Sequence, residues 1–182
     1  MTVPGDAEIG YDSDRPSIFK RSSAMADQTL SPGMTNKATH GDVDIILRLY
    51  QMRCEPVMRE ARKFMTFDFW PSSFEELGKL FGAGGKEFAY FRQVTSYWDM
   101  AMSFVARGAL DQHLFLDNCN EMIFNYVKLK PFLSGLRETV NPMFWKRIED
   151  FLTSSPEAQQ KVESITKNVE RVREQRRKAA AA

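Results

Sequence analysis

The chain is poor in the residues from which most metal and catalytic centres are built. Of its 182 residues two are His and two are Cys. A centre made of several imidazoles is excluded at once, and no HExxH, ExxH or CxxC spacing occurs to supply a zinc or di-iron ligand set. A thiol nucleophile would need a base, and His113 stands six positions from Cys119 across an expected turn, a spacing that points the two apart on one helix. The chain also lacks an excess of one charge. Its 25 Lys and Arg offset 24 Asp and Glu to leave +1, so no global field draws nucleic acid or an anionic membrane. No apolar run approaches the roughly 18 residues that a membrane span needs. The opening MTVPGDAEIGYDSDRP carries acids and a proline where a signal peptide carries basic and then apolar residues. A cytoplasmic location is expected. Cys54 and Cys119 both fall in or beside apolar helical pattern and are expected to be buried free thiols in a reducing compartment.

What the chain does contain favours helix. It is 43% hydrophobic and 12% aromatic, enough for one ordinary core. The stretch from Lys86 to Arg107 has Phe88, Phe91, Val94, Thr95, Trp98, Met102 and Val105 on one face, and Tyr90, Tyr97 and Phe104 on a second apolar line. A helix with two such lines is packed on most of its circumference. The expected fold is therefore all-α, an irregular bundle of about five to six helices around a central helix at 86–107. Residues 1–40, rich in Gly, Pro, Ser, Thr and Asp without periodic apolar positions, are expected as a disordered tail. Met1, Met25 and Met34 are all plausible translation starts. The bundle domain covers 41–153, and 154–182 form a basic amphipathic C-terminal helix.

Within the bundle, Val43, Ile46, Leu47, Tyr50, Cys54, Val57, Met58, Ala61 and Met65 read as the buried stripe of a first long helix, kinked or divided at Pro56. Ser72 or Ser73 caps a short helix from Phe74. Gly82-Ala83-Gly84-Gly85-Lys86 superficially resembles a phosphate-binding loop, but it has no preceding strand, no correctly spaced glycine and no Ser or Thr after the lysine, so a helix C-cap is expected. Gly108 ends the central helix and Asp111 starts the next. Asn118 with Glu121 has the form of a capping box, a bend falls near Pro131, and Asn141-Pro142 and Ser155-Pro156 open the last two helices.

Two groups of residues are candidate sites. Arg92, Ser96, Asp99 and Ser103 form a polar stripe on the otherwise apolar central helix. Arg92, Ser96 and Asp99, with Tyr97 and Trp98, would floor a small ligand pocket, or Arg92 and Asp99 would join a buried ion-pair network. On the last helix Val162, Ile165, Val169 and Val172 follow steps of three and four, a heptad seam suited to one partner helix. An intermolecular interface there is the expectation. That helix carries seven basic residues against four acids. The surplus complements the helix dipole, and weak contact with nucleic acid or an anionic surface is a second use.

RLYQMRCEPVMREAR (Arg48 to Arg62), FWP (Phe69 to Pro71), FRQVTSYWDM (Phe91 to Met100) and the Gly108-Ala109-Leu110-Asp111 break resemble an uncharacterised family of bacterial all-helical proteins of unknown function. The resemblance runs from about Asp42 to Asp150 and implies a single helical domain from a bacterial source. It brings no activity, cofactor or metal. The functional expectation is a non-catalytic helical interaction or scaffold module that self-associates or binds a partner protein. The alternative is a small-ligand sensor with its pocket beside Arg92.

Overall fold

A computed structural model of the protein describes residues 37–181, and no strand occurs among them. The all-α expectation holds. The first helix, α1 (His40–Cys54), is opened by a capping box: the Thr39 hydroxyl accepts from the amide of Asp42, whose carboxylate accepts from the Thr39 amide at 2.7 Å. The other oxygen of Asp42 accepts from the amide of Asp111 at 2.7 Å. One side chain thus caps α1 and pins it to the chain that follows the central helix.

Pro56 cannot continue α1, and Glu55 takes up an extended ψ of 138°, so a second helix, α2 (Pro56–Lys63), starts in a new phase. It runs into a π-helical turn at Phe64–Asp68. Phe67 and Asp68 still belong to this turn, with Phe67 exposed, whereas Phe69 is extended and Phe69 and Trp70 turn inward. Ser73 caps α3 (Phe74–Ala83) by accepting from Glu76, and Gly84 closes it at a φ of +57°, a conformation costly for any residue with a Cβ.

The central helix, α4 (Lys86–Ala106), buries both of its apolar lines, from Tyr90 and Phe91 through Val94, Tyr97 and Trp98 to Ala101 and Met102. Two buried polar contacts tie it to neighbouring elements. The Tyr97 hydroxyl donates to the Leu49 carbonyl of α1 at 2.9 Å, and the Trp145 indole donates to the Thr95 carbonyl at 3.0 Å. Gly108, at a φ of +69°, ends the helix. Asp111 caps α5 (Gln112–Asn118) by accepting from Leu114.

Then follow α6 (Asn120–Leu129), a 3-10 turn around Pro131, α7 (Leu133–Thr139), α8 (Lys146–Thr153) and α9 (Pro156–Ala181). The helices are more numerous and shorter than the expected five to six because Pro56, Cys119 and Pro131 each divide what periodicity alone joins. α8 begins after Pro142 rather than at it. Asn141 caps a turn by accepting from Met143, and Trp145 sits at a φ of +52°. That is a left-handed conformation that a bulky residue holds only where its surroundings fix it. Here the fixing comes from full burial and the bond to Thr95.

The fold also overturns expectations for α9, Glu121 and Cys54. α9 lies along α6 and α8, with Ala158 and Val169 fully buried and Val162 and Ile165 packed against the core; Val172 is half-buried. Most of the seam read as an intermolecular interface is filled by the chain's own helices: Val162, Ile165 and Val169 belong to the core or pack on it, and Val172 lies half-buried beyond them. Glu121 is not a capping acid: its carboxylate is taken by two arginines. Cys54 is exposed, and only Cys119 is buried. The tail and the alternative starts fall, but for residues 37–40, outside the described residues.

Candidate functional site

The largest surprise is on α1. Its inner side is Ile45, Ile46 and Leu49, while Val43, Leu47, Tyr50 and Cys54 face outward. Leu47 is 55% exposed, Tyr50 is 61% exposed, and Val57 just beyond the break is also exposed. α1 therefore carries two adjacent apolar rows, and the domain uses one. The outer row advances by four, three and four residues, the spacing that places side chains on a single helix-pairing seam.

Beneath this face lies a polar network that joins three elements distant in sequence. Glu121, near the start of α6, accepts from Arg53 at the end of α1 at 2.6 Å and from Arg62 in α2 at 2.6 to 2.9 Å. Arg62 also donates to the Arg53 carbonyl at 3.2 Å. Its charge is held firmly, with the Glu121 carboxylate outweighing burial to push the guanidinium pKa upward. Two cations against one carboxylate leave the cluster at +1. The Arg53 guanidinium lies over the Trp98 ring, 5.4 Å from its centroid. Sequence reading missed this cluster because apolar periodicity says nothing of how charges on α1, α2 and α6 meet in space; the available signal was that Arg53 and Arg62 flank Pro56, where α1 and α2 turn past each other. A wide groove of about 770 Å³ opens beside it between α2 and α9, with Arg59, Lys63 and Lys161 on its walls and Phe124 and Ile165 among its apolar lining.

The structure divides the five residues of the expected ligand pocket. Arg92, Ser96 and Asp99 do line a groove beside α4, about 320 Å³ in volume, whose other walls include Phe88, Met143 and Trp145. Tyr97 and Trp98 do not reach it. They face α1, buried, and line a separate cavity of about 40 Å³ with Arg53 and Tyr50. Nor do Arg92 and Asp99 form a buried network. Arg92 is exposed and covers the Phe88 ring, whereas Asp99 stands 3.9 Å from Arg147 on a half-exposed surface. Contacts of that kind contribute about 0 to 1 kcal/mol.

A second cluster, also missed, surrounds Lys128 on α6. Its ammonium donates to the Met65 carbonyl and lies 4.0 Å from the centroid of Trp70, with Phe69 and Phe124 at 5.6 and 5.4 Å. Burial, assisted by the neighbouring charges of Arg176 and Arg173, pulls its pKa down to about 7. The end of α9 covers it: Arg173 donates to the Lys128 carbonyl at 3.0 Å, and Arg176 donates to the Phe67 carbonyl and lies over Trp70. Arg177 and Lys178 pair with Glu174. Much of the basic surplus of α9 is thus spent within the domain. Burial pushes the Cys119 thiol up to about 12, so it stays protonated at neutral pH and is a poor nucleophile.

Among the described residues no group of three or more His, Cys, Asp or Glu side chains could hold a metal ion, and no helix is long and apolar enough to cross a membrane. These features define an all-α domain that, among the described residues, leaves an apolar row of its first helix exposed. The chain belongs to a family described as a domain of unknown function, DUF4760, whose model matches residues 38–155. The match agrees with the uncharacterised family and the extent implied by the sequence resemblance, and it leaves the whole of α9 outside. No curated protein and no solved structure matches the chain.

Proposed function

We propose that the protein is a non-catalytic helical interaction module and that its docking surface is the outer row of α1. The observation that carries this reading is the exposure of Val43, Leu47 and Tyr50 at heptad spacing, since contiguous apolar surface on a monomer marks an interaction site. The occupant is a second copy of the same face. A row spaced four, three and four reads identically in both directions, so two copies of α1 laid antiparallel about a twofold axis set Leu47 against the partner's Tyr50 and Val43 against the partner's Cys54. Small meets small and large meets large. Asp44 then falls near the partner's Gln51, without a like-charge clash at the rim. The row covers only a few hundred Å² per copy, below the roughly 800 Å² per partner of a standard stable interface, so the association is weak and concentration-dependent.

The pairing is tested by cross-linking. Val43→Cys, with Cys54 retained, is expected to give a disulfide-linked dimer under mild oxidation, because the two thiols meet across the axis. Wild type, whose Cys54 side chains lie far apart in an antiparallel pair, is expected to remain monomeric on a non-reducing gel. The opposite result, with wild type linking readily and the variant no better, indicates a parallel or unspecific contact.

A second reading is favoured by the groove at Arg92. Arg92, Ser96 and Asp99 face an aromatic wall, and the left-handed Trp145 helps to build it. Such a groove suits a small amphipathic ligand. Arg92→Ala leaves the fold intact on this reading and removes stabilisation by a ligand found in a small-molecule screen.

A further inference from the structure

The cavity of about 40 Å³ behind α1 has two buried donors on its lining residues that find no acceptor in the protein. Arg53 Nε and Trp98 Nε1 are both inaccessible and unpartnered among the described residues. Trp98 is 2% exposed. A buried donor without an acceptor costs about 1 to 3 kcal/mol, so two of them on one cavity call for an occupant that accepts from both. The Tyr97 hydroxyl donates to the Leu49 carbonyl and the Asn118 amide nitrogen to the Leu114 carbonyl, and neither side chain accepts from Arg53 Nε or Trp98 Nε1. Glu121 already accepts from Arg53 through Nη2 and leaves Nε free.

Charge distinguishes between possible occupants. Arg53, Arg62 and Glu121 sum to +1 in a partly buried cluster, where an uncompensated charge is costly. A neutral water satisfies the donors and leaves the charge, whereas an anion satisfies both. The volume admits one water-sized group or little more, which excludes sulfate and phosphate. We propose that the cavity binds a small monovalent anion of the size of chloride or formate, held between Arg53 Nε and Trp98 Nε1. The two donors lie on the inner side of α1, although Tyr50 of the outer row also lines the cavity, and the test below reads anion binding and not pairing.

The test uses the full chain and chloride as the probe. Bound chloride exchanging with bulk broadens the chlorine NMR line. Wild type is expected to give excess broadening that bromide and formate displace and sulfate at equal ionic strength does not. Trp98→Phe keeps an aromatic ring and removes one donor, and it is expected to lose that displaceable broadening while its circular dichroism stays unchanged. Broadening that survives in a folded Trp98→Phe comes from surface arginines and lysines and overturns the proposal. Should the variant not fold, diffraction from wild-type crystals grown in bromide decides: an anomalous peak within hydrogen-bond distance of both donors supports the site, and a water there without anomalous signal refutes it.

Discussion

Individual residues show where stability is held and where it is given up. Asn125 is fully buried on α6, and neither its amide nitrogen nor its amide oxygen has a partner among the described residues. Asn125→Leu is expected to raise stability by about 1 kcal/mol or more in urea denaturation, because it removes an unsatisfied dipole at similar volume. Lys128 makes the corresponding case for charge. Its native pKa of about 7 lies below the ordinary 10.5, so between those values the unfolded chain binds more protons than the native one. The cost of the buried charge is therefore fully present below pH 7 and is relieved as pH rises through the window. Lys128→Met is expected to be more stable than wild type at pH 6 by about 1 to 3 kcal/mol and to flatten the rise toward pH 9. Denaturation curves of both proteins at the two pH values check it, and equal slopes would remove Lys128 as the cause. Thiol titration separates the cysteines: Cys54 is expected to react at the rate of a free thiol and Cys119 only in urea.

At the scale of the helices, α9 is the element whose role changed most between sequence and structure. Deleting everything after Ser155 strips Val162, Ile165 and Val169 from the core and removes the bonds of Arg173 and Arg176 over α6 and the π-helical turn. The truncated chain is expected to lose about 3 kcal/mol or more, read as an earlier urea midpoint; an unchanged midpoint would return α9 to an external role. The central helix was legible because two apolar lines on 21 residues admit only one environment. The caps at Asp111, Ser73 and Ser155 and the break at Pro56 were legible from local chemistry. What failed did so where periodicity offers two answers. On α1 the rows Ile45-Ile46-Leu49 and Val43-Leu47-Tyr50-Cys54 are equally apolar, and the choice between them depends on the phase reset at Pro56. On α9 a narrow seam fits a foreign helix or its own α6 equally well. Glu121 had one acidic role available locally as a cap and another across the fold as the partner of two arginines; the tertiary role prevailed.

At the scale of the whole molecule, the outer row of α1 is apolar surface that the described core does not use. The proposed role follows from that surplus, and so does its weakness, since one short helix face buries little. Sedimentation equilibrium across a concentration series, from micromolar to near-millimolar, is the most direct measurement. Wild type is predicted to move from monomer toward dimer over that range, and Leu47→Glu with Tyr50→Glu, placed on exposed positions that leave the core untouched, to stay monomeric with unchanged circular dichroism. A wild type that remains monomeric at the highest concentration, or a folded double variant that associates as wild type does, would contradict self-association through α1.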